Sequence, residues 1–291
     1  MFLVVFDHKR RVNIAVKVVT DNTADIPSQL AKELDIAVIP SYVIFGSTSY
    51  RGGIDITEDE FYQKLLDGPV LPATSQPTPQ DFIEVYTQLA KEADGILSIH
   101  ISSKLSGTIN SAEQAKKLAN VKCPIEIIDT QNLSTALGLI VIAAARMAGA
   151  GKGLTEIADA VRKMVPNTKL LILFGTLEYL AKGGRIGKAK SLLGSVLNVK
   201  PLLTLKDGEF IPVTQVHSRS KGKEKLLEFV RSAKDIEDLA VFYSTTPDEA
   251  QELAASITAI PKASIIIARV GPVLGVHGGP GVLGIALRMK S

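Results

Sequence analysis

The stretch Gly95-Ile-Leu-Ser-Ile-His-Ile-Ser-Ser-Lys-Leu-Ser-Gly-Thr108 decides the fold. It begins with mainly apolar residues at 95–101, continues through a short polar loop, and enters a helix that we predict from Gly107 to Leu118. A buried strand followed by a small-residue loop and a helix is the repeating unit of α/β proteins. The stretch therefore predicts a parallel sheet with polar loops at its edge.

The first two thirds of the chain repeat this alternation of short apolar runs and longer amphipathic segments. The alternation is typical of a parallel sheet with crossover helices. Helix starts are marked by a capping box of Thr57 and Glu60, and by Thr78 followed by Pro79. Another helix is predicted at residues 133–148. The predicted strands of this part cover residues 14–20, 37–44, 95–101 and 125–129.

The second half has a different pattern, in which Asp207-Gly208 between two apolar runs predicts a β-hairpin. Strands and helices around it predict a mixed sheet. A glycine-rich loop at 148–153 is one candidate boundary, and a helix follows it at once. We predict two α/β domains, at residues 13–165 and 166–291, after an extension at 1–12. The predicted elements of this half are strands 170–175, 201–206, 210–213, 239–243 and 263–269, and helices 154–164, 221–233 and 247–258.

Composition narrows the class of protein. Hydrophobic residues make up 46% of the 291 residues and the mean hydropathy is +0.20, which leaves apolar side chains to line a cavity. The single cysteine, Cys123, excludes an internal disulfide and a cysteine-based zinc site, so we expect a cytoplasmic protein. A net charge of +3 and the lack of Trp argue against a nucleic-acid partner.

Neither apolar stretch of the chain has the pattern of a membrane span or an export signal. Residues 133–150 contain Arg146 and fall short of the ~20 apolar residues that a transmembrane helix needs. Residues 1–6 are apolar but precede their basic residues, the reverse of the order in a signal peptide. We expect the ordered chain to begin near Asn13.

Four polar or glycine-rich segments follow apolar runs, where α/β proteins place their sites. They are residues 73–78, 102–108, 182–185 and 270–281. The second segment ends at a predicted helix start, where free amides favour an anion, and Gly107 lets a ligand approach the backbone. These segments predict an anion site.

Simpler interpretations of the same residues remain open. Thr74, Ser75 and Thr78 are also suited to cap a helix, and Ser106-Gly107-Thr108 is also suited to form a capping turn. A lone histidine such as His277 is more often structural, although its glycine-rich surroundings favour a ligand. We assign structural roles to the other three histidines. The sequence contains no phosphate loop, no Gly-x-Ser-x-Gly motif and no metal-ligand spacing.

Taken together, the segments resemble the DegV family of fatty-acid-binding proteins from about Ile14 to the C-terminus. Each motif alone is only weakly specific for this family, but the occurrence of all of them in this order along the chain is highly specific. The matching motifs are Val18-Val19-Thr20-Asp21-Asn22-Thr23-Ala24-Asp25-Ile26-Pro27, Asp55-Ile56-Thr57, Thr74-Ser75-Gln76-Pro77, Ser102-Ser103-Lys104-Leu105-Ser106-Gly107-Thr108, Leu180-Ala181-Lys182-Gly183-Gly184-Arg185-Ile186, and Gly271-Pro272 with His277.

This resemblance implies two segment-swapped α/β domains, with a fatty acid buried between them. The N-terminal one is expected to be a three-layer α/β/α Rossmann-like domain and the C-terminal one a two-layer domain with a mixed sheet. The resemblance implies that Thr74, Ser106 and His277 hold the carboxylate, and we include Ser75 and Gly107 in the expected ligand site.

The resemblance also implies a separate fatty acid kinase that phosphorylates the bound carboxylate, with Arg185 and Lys182 as docking residues. The expected ligand is of the palmitate, stearate or oleate class, with transient membrane contact for lipid exchange and with no cofactor or metal. One departure from the family pattern is Asn22, where the family usually has Ser, and another is the run at 278–280.

Two other functions compete with that of a non-catalytic lipid carrier. One is a hydrolase or acyltransferase acting on a lipid, with Ser106 or His277 as nucleophile. The other is a small-molecule sensor or kinase-like domain, because the fold resembles that of dihydroxyacetone-kinase domains. The lack of a phosphate loop argues against independent kinase activity.

Overall fold

The computed structural model describes residues 16–68, 70–193 and 199–290. The predicted extension at 1–12 and the expected start of the first strand at Ile14 lie outside them. The strands are β1 Val16–Asp21, β2 Ile36–Ile39, β3 Tyr42–Phe45, β4 Thr48–Arg51, β5 Ala73–Ser75, β6 Gly95–His100, β7 Ile125–Asp129, β8 Thr168–Leu173, β9 Lys200–Lys206, β10 Glu209–Val216, β11 Ile236–Tyr243, β12 Ile265–Arg269 and β13 Leu283–Met289. The α-helices are α1 Ser28–Glu33, α2 Glu58–Asp67, α3 Pro79–Leu89, α4 Thr108–Leu118, α5 Ser134–Gly149, α6 Leu154–Asn167, α7 Glu178–Lys182, α8 Arg219–Ser232, α9 Pro247–Ser256 and α10 Pro272–Gly278.

A four-stranded parallel sheet in the order β2-β1-β6-β7 forms the centre of the N-terminal half. Helices α3 and α4 cover one face, where Phe82 and Tyr86 pack on Val19 and Ile96. Helices α5 and α6 cover the other face. The predicted three-layer α/β/α arrangement is confirmed.

The helix starts follow the predicted capping chemistry. Thr57 and Glu60 form the expected capping box of α2. Thr78 caps α3 ahead of Pro79, and Asp81 completes a second box that the sequence analysis did not name. In both boxes the hydroxyl accepts a backbone N–H at the third helical position, which satisfies one of the free donors of the first turn.

Helix α5 lies between the two large sheets. Its residues 134–145 are all buried, and it contacts β1 and β6 on one side and β8, β11 and β13 on the other. A helix that is apolar on all sides fits only where both of its faces are covered. Among the described residues, no helix is long and apolar enough to cross a membrane.

A six-stranded mixed sheet in the order β10-β9-β8-β13-β11-β12 dominates the C-terminal half. Helices α8 and α9 pack on its outer face around Leu226 and Leu253. The hairpin predicted at Asp207-Gly208 joins β9 to β10, and both turn residues have positive φ, at 54° and 80°. The two-layer mixed-sheet arrangement is confirmed.

Segments of each half of the chain pack into the other half. Helices α5 and α6 cover the inner face of the mixed sheet, and α10 contacts α2, β3 and β5. This exchange agrees with the predicted segment swap. The division at residues 165 and 166 stays a prediction.

The prediction of one continuous strand at 37–44 was wrong. The chain turns at Pro40 and Ser41, so β2 ends in the parallel sheet and β3 begins a separate antiparallel sheet with β4 and β5. Pro40 has no N–H for a sheet ladder. The Asn22 carboxamide accepts the N–H of Ser41 at 3.0 Å, which replaces the strand bond there.

The sequence analysis did not predict β13, although this strand lies between β8 and β11 in the mixed sheet. Residues 283–288 are all buried, so they lack the alternating pattern of a half-exposed strand. A short apolar run that follows a glycine-rich loop does not by itself distinguish a strand from a helix.

Candidate functional site

A cavity lies between the carboxyl edge of the parallel sheet, the inner face of the mixed sheet and helix α10. It has about 990 Å³ of atom-free space, its open mouth included. Its polar lining includes Thr74, Ser75, Gln76, Ser106, Arg185 and His277. Its apolar lining includes Ile101, Leu133, Ile172, Phe174, Phe210 and Phe242.

Thr74 and His277 meet at one side of this cavity, although 203 positions separate them in the sequence. The Oγ1 atom of Thr74 lies 2.9 Å from Nε2 of His277. Strand β5 positions Thr74 by pairing it with Val43 of β3, and α10 carries His277 on its last turn. Two of the three predicted carboxylate ligands are therefore in direct contact.

The surroundings of His277 disfavour the imidazolium form. Burial, together with the positive charge of Arg185, lowers the pKa of His277 to about 4. Its Nδ1 atom is buried with no hydrogen-bond partner among the described residues. Gly183 lies directly against this atom, because a Cβ added to Gly183 would overlap Nδ1.

Ser106 lies in the loop between β6 and α4. Its Oγ is 2.8 Å from Oγ1 of Thr108 and accepts the Thr108 N–H at 3.3 Å. Ser106 therefore forms a hydrogen-bonded turn at the start of α4, although the cap residue is Gly107 and has no side-chain cap bond, and Ser106 also lines the cavity. Its hydrogen-bond partners among the described residues do not include His277, so the three predicted ligands do not form one hydrogen-bonded set by themselves.

Gly107 brings the two polar loops together. A Cβ at this position would overlap the side-chain amide of Gln76, which donates to Oγ of Ser111 at 3.3 Å. The neighbouring Ser75 is exposed at the cavity lining and its Oγ donates to the carbonyl of Gln76 at 3.2 Å. Because Gly107 has no side chain, Gln76 can occupy the space beside it, and residues 73–78 pack against residues 102–108.

Arg185 is exposed and lines the same cavity. Its guanidinium donates to the carbonyls of Leu105 at 3.3 Å and Gly183 at 2.7 Å, and it forms no ion pair with the carboxylates of the described residues. Lys182 differs, because it is paired with Glu178 one helical turn away and is not part of the lining. Of the two predicted docking residues, Arg185 thus lines the cavity and Lys182 does not.

The apolar wall comes mainly from the mixed sheet and its neighbours. Phe174 and Phe210 meet edge to face, with ring centroids 6.0 Å apart, and Ile172 and Phe242 extend the wall. Edge-to-face aromatic contact fixes the rings without polar groups. This wall offers an apolar surface to a ligand whose polar end reaches Thr74.

A buried chain of polar side chains behind the cavity was not predicted from the sequence. Tyr86 Oη is 2.8 Å from Ser98 Oγ, which is 2.6 Å from Nε2 of His100. Nδ1 of His100 is 2.9 Å from Asp21, and Asp21 also accepts from Thr23, which lines the cavity. Burial acts to raise the pKa of Asp21, but its hydrogen bonds from His100 and Thr23 hold it below the ordinary value.

The hydrogen-bonded side chains of Ser98, His100 and Asp21 follow one another in the order of a Ser-His-Asp triad. Unlike the serine of a catalytic triad, however, Ser98 is not exposed. Ser98 and His100 are both 0% exposed, and Tyr86 covers the serine hydroxyl on its other side. A substrate therefore has no path to Ser98 in this arrangement. The sequence did carry a signal, because two polar residues at positions i and i+2 of an apolar strand face the same side.

A second buried carboxyl, Asp25, joins two helices at the edge of the cavity. It accepts a 2.6 Å bond from Ser134 at the start of α5 and a 2.9 Å bond from the N–H of Gly271, ahead of α10. Burial raises its pKa to about 7, against the opposing effect of these two bonds. The described residues contain no group of side chains suited to hold a metal ion.

Comparison with known proteins gives one consistent family. The family model described as an uncharacterised protein of the DegV family matches residues 15–290. A DegV domain-containing protein of Streptomyces coelicolor is 37% identical over 281 residues, which cover 94% of this chain and 99% of the relative. A second relative, from Clostridium perfringens, is 34% identical over 284 residues, which cover 96% of this chain and the whole relative.

Three solved structures are also similar over almost the whole chain. A fatty-acid-binding DegV family protein from Thermus thermophilus has 33% identity and a TM-score of 0.88, with 95% of this chain and 100% of that one covered. The fatty acid binding protein DegV from Bacillus subtilis has 29% identity and a TM-score of 0.83 at the same coverage. A stearic-acid-binding protein from Eubacterium ventriosum has 26% identity and a TM-score of 0.86, with 94% and 98% covered.

Proposed function

The chain belongs to the DegV family, and from this premise we propose that it binds one long-chain fatty acid in the cavity between its two sheets. In this proposal Thr74, Ser106 and His277 hold the carboxylate, with Ser75 and the amides near Gly107 beside them. The acyl chain, of the palmitate, stearate or oleate class, lies along the phenylalanine-lined wall.

The observation that carries the proposal is that one cavity joins a polar cluster to an apolar wall. Thr74, Ser106 and His277 line it together with Phe174 and Phe210. At ~0.8 kcal/mol per CH₂, burying a chain of about 16 carbons contributes more than ~10 kcal/mol of gross driving force. The polar cluster then decides which head group is accepted, because a buried carboxylate without donors is very costly.

The head group is held by hydrogen bonds rather than by a buried cation. His277 has its pKa lowered to about 4, so in the ligand-free protein near neutral pH the imidazole carries no positive charge. Arg185 is the cationic side chain on the cavity lining, and it is exposed to solvent, which screens its charge. Two hydroxyls and backbone amides therefore provide most of the recognition.

We further propose that the protein presents its ligand to a separate fatty acid kinase, which forms an acyl phosphate on the bound carboxylate. The carboxylate end must then be reachable, and Arg185 is both exposed and part of the cavity lining. Lys182, already paired with Glu178, is given a weaker docking role. Transient contact with a membrane is the proposed route of lipid exchange.

The geometry favours a carrier over a hydrolase or acyltransferase. Such an enzyme needs a base beside its nucleophile, but Ser106 bonds to Thr108 and His277 bonds to Thr74. The relatives of solved structure are named for fatty acid binding. These observations support a protein that holds lipid without transforming it.

Native mass spectrometry of the protein purified from a bacterial host tests the proposal. We expect one fatty acid per chain, released intact when the protein is denatured. A chain that carries no lipid and takes up none from added palmitate would contradict binding. A covalent acyl adduct on Ser106 or His277 would instead establish the acyltransferase alternative.

A further inference from the structure

The contact between Gly183 and His277 determines more than the shape of the cavity. Gly183 has φ −76° and ψ −5°, a backbone conformation that any L-residue adopts. Glycine is therefore not required there by the backbone. What excludes a side chain is the imidazole, because a Cβ would overlap Nδ1 and lie 2.8 Å from Cε1 of His277.

This packing directs a C–H group of Gly183 at Nδ1 of His277. The Cβ position that overlaps Nδ1 corresponds to the direction of one Cα–H bond of the glycine. A C–H group donates weakly to a lone pair and repels an N–H. Nδ1 has no hydrogen-bond partner among the described residues, so its state depends on this contact.

The two neutral forms of the imidazole differ in the group that they bury. With the proton on Nδ1, a buried N–H would face a C–H without an acceptor, and orphaned buried N–H groups are rare. With the proton on Nε2, the N–H donates to Oγ1 of Thr74, 2.9 Å away, and Nδ1 keeps a lone pair. The second form leaves no buried donor unpaired.

We propose that Gly183 is a positioning residue that fixes the proton of His277 on Nε2, so that the hydroxyl proton of Thr74 is free to donate to the ligand. The reason is that Nε2–H donates to one lone pair of Oγ1, so the hydroxyl proton of Thr74 is not used by His277 and can point into the cavity. His277 then acts through Thr74. This inference rests on the proposed fatty acid site and names the feature by which that site selects its head group.

A Thr74 hydroxyl that is free to donate selects the chemistry of the ligand head. A carboxylate oxygen accepts the hydroxyl proton in a charge-assisted bond and brings no proton of its own. An alcohol of the same chain length accepts that proton in a weaker, uncharged bond, and an alkylammonium brings only donors. The site is therefore selective for acids over alcohols and amines of equal length.

The position of the proton is measured without any ligand. Long-range ¹H–¹⁵N correlation spectra of the delipidated, ¹⁵N-histidine-labelled protein show which ring nitrogen is protonated, and the His277→Gln variant assigns the signal. We expect a protonated Nε2 and a bare Nδ1. A proton on Nδ1 overturns the inference even where the protein binds fatty acid.

Binding assays on the wild type and on Gly183→Ala test the consequence. Gly149→Ala is the matched control, because Gly149 has open space around it and no positive φ. We expect Gly183→Ala to displace His277 and weaken palmitate binding by about tenfold or more, as for loss of a hydrogen bond to a charged group. The control should bind as the wild type does.

The selectivity of the wild type is measured with palmitate, hexadecanol and hexadecylamine. Palmitate should bind at least about tenfold more tightly than either. Equal affinity for hexadecanol, or unchanged palmitate binding by Gly183→Ala, overturns the inference. A wild-type chain that binds no palmitate contradicts the proposed function instead, while the spectrum of His277 still decides the position of the proton.

Discussion

Oγ of Ser134 donates a 2.6 Å hydrogen bond to Oδ2 of Asp25, 109 positions earlier in the chain. Both residues have left-handed backbones, with φ of 51° and 47°, a conformation that costs non-glycine residues roughly 1 kcal/mol or more each. The same carboxyl accepts the N–H of Gly271. One buried side chain therefore holds the start of α5 and the start of α10 together, at the edge of the cavity.

Asp25 makes stability depend on pH. Burial raises its pKa from 3.8 to about 7, so between these values the folded chain keeps a proton that the unfolded chain has lost. The contribution of Asp25 to the free energy of unfolding is therefore largest below about pH 4 and falls as pH rises through about 7. The total decrease is on the order of 4 kcal/mol, because one pKa unit corresponds to about 1.4 kcal/mol. Asp25→Asn should remove this dependence and stabilise the protein on the alkaline side.

Urea unfolding at both ends of this pH window measures the effect. Asparagine also tolerates the left-handed backbone, so the substitution tests the charge. Asp67→Asn, at an exposed carboxyl, should follow the wild type across the window. Parallel pH profiles for Asp25→Asn and the wild type would show that Asp25 is ionised in the folded chain throughout.

The proposed carboxylate ligands are tested one at a time. Thr74→Val, Ser106→Ala and His277→Ala should each weaken fatty acid binding by ~1–3 kcal/mol, because each removes a donor or its support from a buried charge. Titration with a fluorescent fatty acid measures the loss. Ser103→Ala, in the same loop but exposed, is the control. An equal loss of fatty acid affinity in that variant would show that the substitutions act by disturbing the conformation of the loop and not by removing a ligand.

Arg185 has two separable effects. Arg185→Ala should raise the pKa of His277, because the guanidinium charge is one of the two causes that lower it, and a histidine titration followed by NMR measures this shift. Lipid binding should be largely retained, since the side chain is exposed, whereas phosphorylation by a partner kinase should be impaired.

Lys182→Ala is the companion variant, because its charge is already paired with Glu178. We expect it to leave the pKa of His277 as it is in the wild type and to impair phosphorylation less. A ligand-free Arg185→Ala protein would mean that Arg185 belongs to the carboxylate site after all.

His100 is predicted to stabilise the fold without taking part in catalysis. His100→Ala removes a partner of the buried Asp21 and should lower the free energy of unfolding by ~3–5 kcal/mol, as for a broken buried pair. His217→Ala, at an exposed histidine, should have little effect. Urea unfolding compares the two variants.

Ser98 provides the second test of this buried chain. Because its hydroxyl is enclosed and bonded on both sides, a fluorophosphonate probe should not label the native wild-type protein. Rapid labelling of Ser98 would show that this serine is an accessible nucleophile and would support the hydrolase alternative.

The sequence predicted the features whose causes are local. The capping box at Thr57, the cap at Thr78 and the Asp207-Gly208 hairpin depend on residues within a few positions of each other. Thr74 and His277 were predicted to act together only from the resemblance to a family, because no local sequence pattern connects the two residues. In the structure, Oγ1 of Thr74 and Nε2 of His277 are 2.9 Å apart.

What the sequence analysis missed depends on contacts between distant residues. Strand β13 has the apolar composition of either a helix or a strand, and only its pairing with β8 and β11 decides between them. The Asp21–His100 pair spans 79 positions. The contact of Gly183 with His277 was not predicted, because nothing near Gly183 in the sequence shows that an imidazole occupies the space beside it.

We expect helix α5 to give the molecule one cooperative unfolding transition. Its buried residues 134–145 complete the inner faces of both large sheets, so neither sheet keeps its apolar surface covered when the other is lost. Thermal melting should therefore follow a single step, and a fragment cut on either side of this helix should aggregate. The two halves of the chain are distinct in architecture and inseparable in folding.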